Sequence, residues 1–129
     1  MRYLGIDYGS KRIGIAVSDD EGRMAFPAGI IPNRDKVVMK EIVARIRKEH
    51  IDGIVIGLPV GLDGKETGQT KSTRLFIEAL RSAVHVPIET ENEMLTSKMA
   101  QVSGMRDGHI DASSAAIILQ SYLDRRNTL

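Results

Sequence analysis

Acidic residues stand at three places in this sequence where carboxylates could do chemistry. Asp7 ends an apolar stretch and precedes a glycine turn in LGIDYGSK, and Asp111 opens the segment DASSAAIILQSYLD. Between them Glu89, Glu91 and Glu93 alternate, so they share one face where the chain is extended. Carboxylates held close together repel unless a cation lies among them, and Mg²⁺ or Mn²⁺ takes oxygen ligands. The acids therefore predict a divalent-metal site if the fold brings them together.

Each acid also has a purely structural interpretation. Asp7 could accept hydrogen bonds from the backbone of its own turn, which is a common role of aspartate. Asp111 could cap the last helix, where a negative charge is favoured by the helix dipole. The three glutamates could form a solvated strand face. Only the convergence of these acids at one edge of a sheet favours the metal site.

The first three predicted elements are strands. MRYLGID and KRIGIAVSD are rich in β-branched residues and flank the short turn YGS, and both are apolar on their two faces, so both should be covered on two sides. RMAFPAGIIP predicts a third strand. Pro27 and Pro32 place that strand at the edge of the sheet, because proline cannot donate to a ladder.

The rest of the chain alternates between helices and strands. NRDKVVMKEIVARIRKEH predicts an amphipathic helix capped by Asn33, and GIVIGLP a buried parallel strand. STRLFIEALRSAV predicts a helix with an inner face of Leu75, Phe76, Ala79 and Leu80, followed by the strand VPIETEN and the helices MLTSKMAQV and HIDASSAAIILQSYLDRR. This order predicts an α/β fold: a five-stranded mixed sheet, made of an antiparallel three-strand meander and parallel βαβ strands, flanked by helices.

The last helix should bring Asp111 to the sheet. Helical spacing aligns Asp111 with Ala115, Ile118, Leu119 and Tyr122, which form the apolar stripe of that helix. The small residues that follow Asp111 allow a close approach to the sheet. We therefore expect Asp111 to lie over the end of the first strand, near Asp7.

The composition limits the possible classes of protein. The 129 residues predict one domain, residues 1–129, and a net charge of +1 does not by itself indicate a nucleic-acid partner. The chain has no cysteine, which excludes disulfides and thiolate metal sites. No apolar run approaches the roughly 20 residues of a membrane-spanning helix. We expect a cytoplasmic protein without a membrane partner.

Four motifs resemble those of a known family. LGIDYGSKRIGIAVSD, GLPVGLDG, ENEMLTS and IDASSAAIILQSYLD occur in the order found in the YqgF/RuvX family of Holliday junction resolvases and pre-16S rRNA nucleases. The resemblance implies the ribonuclease H-like fold and metal-dependent phosphodiester hydrolysis with Mg²⁺ or Mn²⁺. It also implies that Asp7, Glu93 and Asp111 are the catalytic metal ligands, a choice among the glutamates that spacing alone leaves open.

Nucleic acid would be the partner of such an enzyme. The cations expected to contact its phosphates are Lys11 and Arg12 beside the first turn, Lys65 and Lys71 in the glycine-rich loop, and Arg106 and His109 before the last helix. Each of these residues, taken singly, could also be ordinary solvated surface.

Several functions remain open from the sequence. Processing of the 5′ end of pre-16S rRNA in ribosome biogenesis is the first hypothesis, and it needs only a monomer. Resolution of branched DNA is the alternative, and it calls for a homodimer. A non-catalytic RNA-binding ribosome-assembly module is a third, because Asn92 and Met94 replace the acid and arginine common in the family motif. An actin-like or sugar-kinase ATPase would need a second phosphate loop, and none is visible.

Overall fold

The computed structural model describes residues 1–34, 36–60, 63–92 and 112–128. The five strands in chain order are β1 (Tyr3–Tyr8), β2 (Arg12–Ser18), β3 (Ala25–Pro32), β4 (Gly53–Leu58) and β5 (Ile88–Asn92). The three helices are α1 (Val38–Lys48), α2 (Gly68–Ala83) and α3 (Ala112–Asn127).

The strands form one mixed sheet in the order β3-β2-β1-β4-β5. The pairs β1–β2 and β2–β3 are antiparallel, whereas β1–β4 and β4–β5 are parallel. The predicted meander and parallel portion are therefore confirmed, as is the edge position of β3. The parallel crossovers through α1 and α2 bring the carboxyl ends of β1, β4 and β5 to the same edge of the sheet.

Helices cover both faces of the central strands. On one face, Leu4, Ile6, Ile54 and other apolar strand residues pack with α1 and α2. On the opposite face, a smaller apolar cluster includes Tyr3 and Val55 and is covered by α3. This arrangement explains why the sequence of β1 is apolar at every position before Asp7.

The helix α3 lies unusually close to β1 at Gly5. A Cβ atom built on Gly5 would lie 2.8 Å from Leu119 Cβ and 3.1 Å from the carbonyl oxygen of Ala115. Only a residue without a side chain fits this contact, so glycine at this position sets the distance between helix and sheet. The predicted close approach of the last helix is confirmed.

Asn33 is not the cap of α1. The helix begins at Val38, its N-cap position is Val37, and no side chain caps it. A turn closed by the Val37 N–H and the Arg34 carbonyl precedes it. The Asn33 amide instead donates a 2.7 Å hydrogen bond to the Gly9 carbonyl, which ties the end of β3 to the turn after β1.

The inner face of α2 also differs from the expectation. The helix begins at Gly68, with Thr67 and Thr70 forming a reciprocal capping box. Its buried residues are Thr70, Thr73, Phe76, Ile77 and Leu80, whereas Leu75 is 73% exposed. The two buried threonines satisfy their hydroxyls locally, because Thr70 donates to the Pro59 carbonyl and Thr73 donates to the Gln69 carbonyl.

Some expectations fall on residues that the structure does not describe. They are the helix over 94–102 and the site residues Glu93, Arg106, His109 and Asp111. No helix among the described residues is long and apolar enough to cross a membrane.

We expect the Gly5→Val substitution to destabilise the fold by about 1–3 kcal/mol, because the added side chain overlaps α3 and forces the helix away from the sheet. Urea denaturation of the purified variant measures the effect. Gly68→Ala is the matched control: a Cβ there meets nothing within 4 Å, and alanine favours the helix. A Gly5 variant as stable as the control would contradict the packing described here.

Candidate functional site

Asp7 lies at the carboxyl end of β1, on the face covered by α3. Its position two residues after Gly5 puts both residues on the same side of the strand. Asp7 is only 7% exposed. Its neighbour on β2 is Gly14, and continuing the β1–β4 register by one residue places Gly57 on its other side. A buried carboxylate thus stands between two residues that have no side chain.

Glu91 occupies the same row of the sheet. Glu91 lies on β5 and pairs with Gly57 of β4, so its side chain is on the α3 face, as is that of Asp7. Glu91 is 3% exposed. Strands lie about 4.8 Å apart, which puts the Cα atoms of Asp7 and Glu91 roughly 10 Å from each other. Among the described residues these are the two buried acids, and only a glycine separates them across the sheet.

Arg125 of α3 neutralises Glu91. Its Nη2 atom lies 2.7 Å from Glu91 Oε1, although the angle at this contact is not that of a hydrogen bond. The guanidinium is itself 62% exposed. A carboxylate that already has a cationic partner is less available to a metal ion.

The pKa of the Tyr122 phenol on α3 is shifted by its surroundings. Burial first, and then the carboxylate of Glu89, raises the pKa of its phenol above the ordinary value, while Arg125 acts in the opposite direction. Glu89 pairs with Val55, two residues before the row of Asp7. The predicted shared face of Glu89 and Glu91 is confirmed for these two residues.

Only one of the three predicted metal ligands lies among the residues that the structure describes. Asp7 is described, whereas Glu93 and Asp111 lie outside the described residues, so their role stays a prediction. Within residues 1–34, 36–60, 63–92 and 112–128 no three acids or histidines are grouped as metal ligands. Asp7 nevertheless fits a hard cation: it is a buried oxygen donor, flanked by two glycines, at the strand end where the last helix begins.

Four of the six predicted phosphate contacts are described, and all four are exposed. Lys11 lies in the connection that follows β1 and Arg12 begins β2, at the same edge of the sheet as Asp7. Lys71 stands in the first turns of α2, which the bond from Thr70 to Pro59 holds against the carboxyl end of β4. Lys65 lies in the segment before α2, where its N–H donates to Asp63. Arg106 and His109 lie outside the described residues.

Sequence reasoning missed the Glu91–Arg125 pair and the glycines beside Asp7. The two partners of the pair are 34 positions apart, so no local pattern joins them. The glycines did carry a signal: Gly14 and Gly57 both interrupt apolar strands, and a glycine inside a strand marks a place where something must approach the backbone.

The sequence matches a family profile described as RuvX, Holliday junction resolvase, over residues 1–125. A protein of Anaeromyxobacter sp. (strain Fw109-5) named "Putative pre-16S rRNA nuclease" is 37% identical, over 98% of this chain and 99% of its own. A protein of Sulfurihydrogenibium sp. (strain YO3AOP1) with the same name is 42% identical, over 96% of this chain and 90% of its own.

The fold is similar to that of a solved Holliday junction resolvase. The structure of T. thermophilus RuvC in complex with Holliday junction substrate superposes with a TM-score of 0.62, covering 98% of this chain and 96% of that one. The sequence identity is 12%, so the similarity concerns the fold alone. It shows the ribonuclease H-like fold that the family resemblance implied.

We expect Arg125→Met to lower the free energy of unfolding by about 1–3 kcal/mol, because it leaves the buried carboxylate of Glu91 without its cation. Arg81→Met is the control, since Arg81 pairs with Glu78 on the exposed side of α2 and should change stability by less than about 0.5 kcal/mol. Urea denaturation gives both values.

The double variant Glu91→Gln, Arg125→Met should recover part of the loss, because the charge to be neutralised is gone. Equal stability of Arg125→Met and Arg81→Met would show that Glu91 does not depend on the pair.

Proposed function

This chain belongs to the RuvX family, and we propose that it is a metal-dependent nuclease that trims the 5′ end of the 16S rRNA precursor in the cytoplasm. The observation that supports this proposal most is the environment of Asp7. A carboxylate that is 7% exposed, stands between two glycines and lies at the same strand end as exposed cations is suited to a metal ion and a phosphate.

Asp7, Glu93 and Asp111 would hold Mg²⁺ or Mn²⁺ in this enzyme. The bound ions would lower the pKa of the attacking water and stabilise negative charge on the departing oxygen. The burial of Asp7 keeps its carboxylate in one place, which is what a directional ligand requires.

The hydrolysis itself is a simple displacement. The oxygen of a water molecule forms a bond to phosphorus, and the bond between phosphorus and the 3′ oxygen breaks. The water gives up one proton, and the departing 3′ oxygen takes up a proton to become a hydroxyl. The products are one end with a 5′ phosphate and one end with a 3′ hydroxyl.

The exposed cations would hold the backbone of the substrate. Lys11 and Arg12 follow the strand that carries Asp7, and Lys71 is the exposed residue after Thr70, which bonds to Pro59 at the end of β4. Their contacts would be with phosphates and would not depend on sequence, so binding should weaken as salt rises. Lys65, Arg106 and His109 are proposed to extend this surface.

RNA is favoured over branched DNA by the relatives. The proteins that are 37% and 42% identical over nearly the whole chain carry the name of an rRNA nuclease, whereas the resolvase in complex with a junction is 12% identical. Junction resolution remains the second candidate, because the family description names it. That activity would require a homodimer with two active sites, whereas trimming requires one.

We expect Asp7→Asn to reduce the rate of cleavage at least about a hundredfold. Mutation of residues that only hydrogen-bond to a metal ligand already lowers metal affinity or activity by about 10–100-fold, and a ligand itself should matter more. The assay uses end-labelled 16S rRNA precursor fragments and a four-way DNA junction, each with Mg²⁺ and with Mn²⁺. Asp20→Asn is the matched control, since this carboxylate is 88% exposed and lies away from the site.

Cleavage that survives Asp7→Asn would rule out Asp7 as a catalytic ligand. A wild-type protein that cuts neither substrate with either metal would instead support the non-catalytic RNA-binding module.

We also expect Mg²⁺ or Mn²⁺ to raise the melting temperature of the wild-type protein, because an ion that binds only the folded state stabilises it. At a metal concentration one hundred times the dissociation constant the gain is about 2.7 kcal/mol. Thermal denaturation with and without metal measures this without reference to activity.

The gain should disappear in Asp7→Asn and in Asp111→Asn and persist in Asp20→Asn. A metal response of Asp111→Asn equal to that of the wild type would argue against Asp111 as a ligand.

A further inference from the structure

A cavity of about 450 Å³ opens at the end of β1, on the face of the sheet opposite to the Asp7 side chain. Its lining comes from three parts of the fold: Tyr8, Gly9 and Ser10 after β1, Asn33 after β3, and Gln69 and Ser72 in the first turns of α2. Tyr8 follows Asp7 directly, so the cavity begins at the residue after the carboxylate, at the same strand end. Its volume lies within the range of small-molecule sites.

The lining is polar but uncharged. The Asn33 amide group is held by its 2.7 Å bond to the Gly9 carbonyl, which leaves the side-chain oxygen of Asn33 as an acceptor. Ser72 donates to the Gly68 carbonyl and can still accept. In the described part of the chain the side chains of Ser10 and Gln69 form no hydrogen bond with other residues. Such groups suit the edge of a base or a sugar hydroxyl better than a phosphate.

Tyr8 adds an aromatic wall to this lining. Its ring stacks on Phe76, with centroids 4.4 Å apart and planes at 25°, so its orientation is fixed from the side of the core. A fixed aromatic ring beside neutral hydrogen-bonding groups is the combination that nucleic-acid-binding proteins use for unpaired bases.

Each segment that lines the cavity has a lysine or arginine as a neighbour in the sequence. Lys11 follows Ser10, Arg34 follows Asn33, and Lys71 lies between Gln69 and Ser72, and all three side chains are exposed. The cavity therefore has a neutral interior and a basic surrounding. A nucleoside with its phosphates matches this distribution, with the base and sugar inside and the phosphates outside.

We propose that this cavity binds the nucleoside of an unpaired nucleotide next to the phosphodiester held at Asp7. The proposal rests on the proposed nuclease function and narrows its substrate to strands with an unpaired residue at the cleavage site. A base within a duplex could not enter, because its hydrogen-bonding edge is already paired and both of its faces are stacked.

The test compares Ser72→Leu with Ser82→Leu, both in an Asp7→Asn background that prevents cleavage. The two serines lie on α2 and make the same bond to the carbonyl four residues earlier, but only Ser72 lines the cavity. Fluorescence anisotropy would measure binding of a single-stranded RNA, a single-stranded DNA of the same sequence and a fully paired duplex, each over a range of salt concentrations.

We expect Ser72→Leu to weaken binding of single strands about tenfold, which corresponds to the loss of one stacked base. The slope of log affinity against log salt should not change, since no cation is removed, whereas Lys11→Ala should reduce it. Duplex binding should stay equal to that of Ser82→Leu. A loss on both single strands would point to the base, and a loss on RNA alone to the ribose hydroxyl, and either result supports the proposal.

Two results would overturn it: single-strand affinity of Ser72→Leu equal to that of Ser82→Leu, or an equal loss of affinity for the duplex. None of these measurements requires cleavage. A failure here therefore leaves the Asp7-dependent activity of the wild-type protein as a separate question.

Discussion

The contact between α3 and Gly5 is the constraint on which the rest of this structure depends. Because Gly5 has no side chain, Leu119 and the backbone of Ala115 come within van der Waals distance of the strand itself. The helix then covers the second face of β1, and the strand becomes buried on both sides. Asp7, two residues further along the same face, is buried as a consequence of this packing.

Burial of Asp7 would be unfavourable without compensation, because a carboxylate loses its hydration in a protein interior. Gly14 and Gly57 flank Asp7 on the neighbouring strands, although glycine weakens a strand by losing more backbone entropy on folding.

Glu91 shows that position in the sheet does not decide the role of an acid. It lies in the same row and on the same face as Asp7 and is equally buried, yet it is neutralised by Arg125 from the end of α3. The contact between Glu91 and Arg125 helps to fix α3 over the sheet.

Local patterns in the sequence were sufficient for most of the fold. Apolar residues on both faces of β1 and β2, the prolines of β3 and the helical periodicity of α1 and α3 each predicted the element that forms, because these features act over a few neighbouring residues. The inner face of α2 was predicted correctly at Phe76 and Leu80. It was wrong at Leu75 and Ala79, which are exposed.

The tertiary structure decided what depends on contacts between distant segments. Asn33 forms a hydrogen bond with Gly9, 24 positions earlier, instead of capping α1. Glu91 of β5 forms an ion pair with Arg125 of α3, 34 positions later. The cavity beside Tyr8 likewise exists only because three separate segments meet at the end of β1. Sequence alone thus determined the strands and the acid that ends the first of them. Packing determined the partners of each polar group, because hydrogen bonds and ion pairs form between whatever groups the fold brings within about 3–4 Å.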